Sequence, residues 1–187
     1  AGTRPARRVM GMTRSGALAE EIVVKPEALH PLPDGVAPEV AASFRANYLT
    51  ALYALSARAM IVAGEQLLVL GAAGGTGTAA VQIGKLMGAK VIACASADDK
   101  LAFTREHGAD ETINYASEDL KDALRRVTGG DGPNVIYDPV GGKYAELALR
   151  AIAWEGRFLV VGFAAGDIPK IPLNLVLLKS CDVRGVA

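Results

Sequence analysis

Residues 66–77 read QLLVLGAAGGTG, and the fold is decided there. A short apolar run, Gln66-Leu67-Leu68-Val69-Leu70, breaks at once into a bend that holds four glycines in seven residues, Gly71-Ala72-Ala73-Gly74-Gly75-Thr76-Gly77. Beyond it, residues 76–87 place Ala79, Ala80, Ile83, Leu86 and Met87 at helical spacing. Strand, tight bend and helix follow without a spacer. Residues lacking a Cβ let the main chain turn sharply and let an anion come close to it. The amides at the helix start then face that anion, and the helix dipole favours negative charge. In this setting the bend reads as a cradle for a dinucleotide pyrophosphate. Gly77 lets the helix lie close to the strand.

The alternation continues outward from the bend. Strands are expected at 90–95 (KVIACA), 111–114, 134–138 (NVIYD), 157–161 (RFLVV) and 182–186. Helices are expected at 98–107, with Gly108 just past its end, at 117–127, opened by a partial capping signal at Ser117, at 143–152, and as a short piece at 173–179. Strands separated by helices imply right-handed crossovers and a parallel sheet. The runs LLVL, VIA and FLVV are continuously apolar, as strands buried on both faces should be. The expected fold is therefore α/β: a doubly wound parallel Rossmann sheet with helices on both faces, strand order 3-2-1-4-5-6, and a ligand crevice above the first and fourth strands.

Composition narrows the function. Of 187 residues, 20 are Lys or Arg and 20 are Asp or Glu, and a net charge of zero removes the electrostatic case for a nucleic-acid partner or an anionic membrane surface. Arg4, Arg7, Arg8 and Arg14 make the first stretch locally basic, but they are dispersed. The two cysteines, Cys94 and Cys181, share no motif, which favours a reducing, cytoplasmic setting. No apolar run reaches the ~20 residues that a membrane-spanning helix needs, and none behind the N-terminal arginines reads as a secretory signal.

The tip of the second strand bears on which dinucleotide binds. Sites for NAD usually carry a carboxylate there to accept from the ribose 2′-hydroxyl. This chain has Ala95-Ser96-Ala97, followed by Lys100 within a turn of helix. Ser96 and Lys100 suit the 2′-phosphate of NADPH. Asp98 and Asp99 lie between them and count against that choice, unless they serve as acids at the helix N-terminus.

Taken together, several segments resemble the quinone oxidoreductase (zeta-crystallin-like) branch of the medium-chain dehydrogenase/reductases. They are Asn47-Tyr48-Leu49-Thr50-Ala51, Gly64-Glu65, the bend at 71–77, Ala80-Val81-Gln82-Ile83-Gly84, Gly108-Ala109-Asp110, Ile113-Asn114-Tyr115, Asp138-Pro139-Val140-Gly141-Gly142 and Val161-Gly162-Phe163. The resemblance implies that Gly74, Gly75, Thr76 and Gly77 line the pyrophosphate, that Tyr115 joins Ser96 and Lys100 at the 2′-phosphate, that Asn47 and Thr50 lie toward the nicotinamide, that Val140 borders the nicotinamide ribose and that Phe163 covers the nicotinamide end. It implies hydride transfer from NADPH to a quinone or other conjugated carbonyl without metal. The residues agree on the last point, because neither His30 nor His107 has a partner at zinc-ligand spacing. An enoyl thioester reductase, alone or within a larger synthase, and a coenzyme-binding module without turnover are the alternative readings. No catalytic residue is assigned.

Residues 1–40 stand outside the alternation. They are read as a remnant of a barrel-like substrate domain with a connector, and 41–187 as the dinucleotide-binding domain. Residues 16–24 (GALAEEIVV) look like a single strand, 30–35 (HPLPDG) like a turn-rich connector, and 40–62 like helical material. A lone strand must pair with something else, so the chain reads either as a fragment truncated at both ends or as a short form that has re-paired. An exposed edge on the sixth strand suggests a homodimer.

Overall fold

The computed structural model describes residues 7–187; Arg4 lies outside them. Backbone proximity divides the chain into two units, 1–45 and 46–187.

In the first unit, β1 (Val9–Gly11) pairs antiparallel with β2 (Leu29–Pro31), Met10 facing His30. A turn closed by the Val36 amide on the Pro33 carbonyl follows. The strand expected over 16–24 does not form. This stretch is irregular and lies in the connection between β1 and β2, and Leu18 and Val23 are fully exposed. Extended backbone is held by ladder bonds to a neighbour, and among the described residues this segment has none, so its apolar content alone does not make it a strand. Helix α1 (Pro38–Leu52) begins in this unit and runs into the second, where a π-helical stretch, Tyr53–Ala59, continues it to a left-handed Met60 at φ 50°.

The second unit holds a parallel sheet of β3 (Gln66–Val69), β4 (Lys90–Ala95), β5 (Glu111–Asn114), β6 (Val135–Asp138), β7 (Arg157–Val160) and β8 (Asp182–Gly185). The helices between them are α2 (Gly75–Leu86), α3 (Asp98–Glu106), α4 (Leu120–Val127), α5 (Gly142–Ala151) and α6 (Leu173–Lys179). The strand order is β5-β4-β3-β6-β7-β8, every neighbouring pair parallel. Counting the sheet strands alone, this is the expected 3-2-1-4-5-6. The direction of sheet growth reverses between β3 and β6, which opens a crevice above their C-terminal ends.

Strand periodicity sorts the core. Leu67, Val69, Val91, Val135, Tyr137 and Leu159 pack on one face with Ala79, Ala80 and Ile83 of α2 and with Ala51, Ala54 and Leu55. Their sequence neighbours Leu68, Leu70, Ile92, Ile113, Ile136 and Phe158 pack on the other with α4, α5 and Leu175 of α6. In the inner strands β3, β4, β6 and β7 consecutive residues are buried on both faces, so their apolar residues run on instead of alternating. At the end of the sheet away from the crevice, Arg157 at the start of β7 bonds both carboxylate oxygens of Glu65 at 2.6 Å.

Helix α4 starts later than expected. Its N-cap is Asp119, which accepts from the Asp122 amide at 2.9 Å, whereas the Ser117 hydroxyl bonds back to the Asn114 carbonyl within the turn that leaves β5. No helix among the described residues is long and apolar enough to cross a membrane.

Candidate functional site

The glycine bend is fastened on three sides. Beside the end of β3, the Leu70 amide donates to the Tyr137 carbonyl of β6 at 3.1 Å, and the Ala72 amide donates to the Cys94 carbonyl of β4 at 2.9 Å. Gly71 turns the chain at φ +59°, and the Gly74 amide closes the bend on the Gly71 carbonyl at 3.0 Å. Packing then leaves no room for side chains. A Cβ on Gly77 would stand 2.3 Å from the Gly71 oxygen, and one on Gly75 would stand 2.7 Å from Asn47 Nδ2. Asn47 of α1 is thereby placed against the bend, with Thr50 one helical turn further along.

The first amide of α2 to reach back along the helix is that of Thr78, on the Gly74 carbonyl at 2.8 Å. The amides of Gly75, Thr76 and Gly77 precede it, at the end where helical donors lack internal acceptors. Gly74 and Gly75 are exposed. Small, open main chain, amides at a helix start and a position at the sheet's switch point together fit a diphosphate.

Ser96, Lys100 and Tyr115 lie near the C-terminal ends of two adjacent strands. The Tyr115 amide donates to the Ala95 carbonyl at 3.2 Å, which sets the end of β5 beside the tip of β4. Ser96 and Lys100 are exposed. Asp98 is engaged elsewhere: its Oδ1 accepts from Asn114 Nδ2 at 2.7 Å. The Tyr115 ring lies 4.2 Å, centroid to centroid, from that of Tyr144 on α5. Partial burial, and then the neighbouring Tyr144, raise the pKa of its phenol.

Asp138 builds the loop after β6. It is 2% exposed, and its Oδ1 accepts from the amides of Val140 and Gly141, both at 2.8 Å. Burial raises its pKa, and the two amides offset part of that rise. The loop carries Val140 against the bend, its Cγ2 lying 2.7 Å from where a Cβ on Gly71 would be. Phe163, half-exposed, borders the same loop, its ring edge 2.9 Å from the corresponding point on Gly141.

The structure thus brings Gly74, Gly75, Thr76, Gly77, Asn47 and Val140 together around the bend, with Phe163 on the adjoining loop. Ser96, Lys100 and Tyr115 form a second group at the β4 and β5 ends. Sequence reasoning gave no role to Asp138 or to Tyr137. Tyr137 is fully buried, and burial pushes its phenol up to about 12, against a smaller opposing pull from the Thr76 hydroxyl. The available signal was a hydroxyl-bearing aromatic directly after the apolar pair Val135-Ile136 in a central strand.

A family model described as zinc-binding dehydrogenase matches residues 75–187. The chain belongs to that family. As its motifs predict, it is similar to the quinone oxidoreductase branch. It is 39% identical over 180 residues to quinone oxidoreductase-like protein 2 of Rattus norvegicus, covering 96% of this chain and 51% of the relative. Among solved structures it matches the quinone oxidoreductase of Thermus thermophilus, also determined in complex with NADPH, at a TM-score of 0.83 and 38% identity, covering 98% of this chain and 58% of that one. A more distant match, 31% identical over 156 residues, is to a low-reducing polyketide synthase of Aspergillus calidoustus, covering 82% of this chain and 7% of the synthase. The chain spans about half the length of the quinone oxidoreductase relatives.

Zinc, which the family description names, finds no ligand set among the described residues. No group of three or more His, Cys, Asp or Glu is placed to hold a metal ion, and Cys94 and Cys181 are separate buried thiols.

Proposed function

We propose that this chain carries the coenzyme site of an NADPH-dependent oxidoreductase that reduces quinones. Residues 41–187 are assigned to the dinucleotide-binding domain and 1–40 to part of the domain that receives the substrate. The observation that carries the reading is the glycine bend at the β3–β6 switch point, whose free helix-start amides suit a diphosphate. The carboxylate-free tip of β4, with Ser96 and Lys100 exposed beside Tyr115, supports NADPH over NADH. Asp98, the acid that would oppose a 2′-phosphate, is held by Asn114.

When bound, the nicotinamide supplies a hydride to a conjugated acceptor, chemistry that requires no Lewis acid. The chain's own part is positional. Gly74 to Gly77 hold the diphosphate, Asn47, Thr50, Val140 and Phe163 border the nicotinamide end, and Ser96, Lys100 and Tyr115 take the 2′-phosphate. The protein is assigned a cytoplasmic setting and a homodimeric state.

A second reading, reduction of an enoyl thioester, is supported by the likeness to a polyketide synthase. The test pairs a calorimetric titration of NADPH and NADH with NADPH oxidation in the presence of a quinone panel and a crotonyl thioester. Tighter NADPH binding with quinone turnover is the expected result. Turnover of the thioester alone favours the second reading, and tight binding with no turnover leaves a coenzyme-binding module. No binding of either coenzyme removes the proposal.

A further inference from the structure

Tyr137 occupies the third position of β6, beside Val69 in the sheet register, and packs on the face that α2 covers. Its side chain is fully buried, and its hydroxyl has no hydrogen-bond partner among the described residues. An unpaired buried hydroxyl is costly, and a phenylalanine would fill the same space without that cost. Among the described residues, the side chain that acts on this phenol is that of Thr76, a residue in the first turn of α2, where the backbone amides lack helical acceptors. The phenol is protonated at neutral pH and is therefore available as a donor.

We propose that Tyr137 is a positioning residue for the coenzyme diphosphate: its hydroxyl donates to Thr76 Oγ1 and so directs the Thr76 proton to a phosphate oxygen at the start of α2. The two hydroxyls are not hydrogen-bonded to each other in the structure; a phosphate oxygen that accepts from Thr76 would leave Oγ1 as the acceptor for the phenol and complete the chain. The inference rests on the reading of the glycine bend as a diphosphate site, and it assigns a role to a residue outside the bend.

The diphosphate is common to both nicotinamide coenzymes, so Tyr137→Phe should weaken NADPH and NADH alike, by about 3- to 10-fold each, the range of one neutral hydrogen bond. The free variant should melt at or above the wild-type temperature, because only an unpaired hydroxyl is lost. Thr76→Val should weaken binding similarly, and the double variant should lose little more than either single one, since the two groups act in series. Calorimetric titration and thermal melts read all of this without turnover. Unchanged dissociation constants in Tyr137→Phe, or fully additive losses in the double variant, would overturn the relay while leaving the diphosphate site standing. A wild-type protein that binds neither coenzyme would overturn both.

Discussion

At the tip of β4 the proposed preference for NADPH rests on one ammonium and the acid near it. Lys100 is exposed, and the nearby Asp98 is hydrogen-bonded to Asn114. Positions two apart on a helix also face different directions. Lys100→Ala should therefore weaken NADPH by about 10-fold or more, the loss of one charge-assisted contact, and NADH by less than about 2-fold. Equal losses in parallel titrations would refute the 2′-phosphate assignment. Asp138 poses a different question, because it is a buried carboxylate whose folded-state pKa lies above the ordinary value. Such a group adds stability in its neutral form, below the unfolded pKa of about 3.9, and loses that contribution as pH rises through the folded value. At neutral pH its charge is thus a net cost, although its oxygen holds two amides. Asp138→Asn keeps an acceptor and removes the charge, so it should melt at or above wild type at pH 7, with the difference closing below about pH 4. Asp138→Ala leaves the Val140 and Gly141 amides without their acceptor and should lose about 1–3 kcal/mol at low pH, where Asp138 is neutral, and less at pH 7. Melts from pH 3 to pH 8 check both.

Among the elements, α4 separates two accounts of where a helix begins. Ser117 resembles a cap in sequence, but it is Asp119 that accepts the Asp122 amide. Asp119→Ala should cost about 1 kcal/mol in chemical denaturation and Ser117→Ala a few tenths at most; the reverse order would restore the longer helix. The same contrast explains which parts of the fold could be read from sequence. Residues 90–95 were legible to the residue because a run buried on both faces is apolar throughout and ends at a turn. The parallel order followed, since helices between strands force crossovers. Residues 16–24 misled because a strand exists only with a partner, and pairing is not written in one segment. In the site, the bend was legible from glycines that close packing demands, whereas Tyr137 looked like any core aromatic. Its significance depends on which side chain the fold sets beside its hydroxyl.

For the whole molecule, the sheet leaves β8 as an edge, and the direction of its backbone groups bears on assembly. The Asp182 amide donates to the Gly156 carbonyl and the Val186 amide to the Val160 carbonyl, so residues 182 and 186, and by strand periodicity 184, turn toward β7. Val183 and Gly185 then turn outward. The Gly185 carbonyl is taken by Arg58 Nε at 2.9 Å, which leaves the Val183 amide and carbonyl as an open rung on the edge among the described residues. Val183 is 43% exposed, and it carries no charge that would discourage pairing. A second copy related by a two-fold axis would offer the same rung in the opposite direction, and the two β8 strands could join as an antiparallel pair. Sedimentation equilibrium should therefore give a mass twice that of the chain. Val183→Pro removes an amide that points away from β7, at a position where an edge strand tolerates proline. It should shift the equilibrium to monomer and leave coenzyme binding intact. A wild-type chain that sediments as a monomer at high concentration, or a proline variant that stays dimeric, would place the interface elsewhere or remove it.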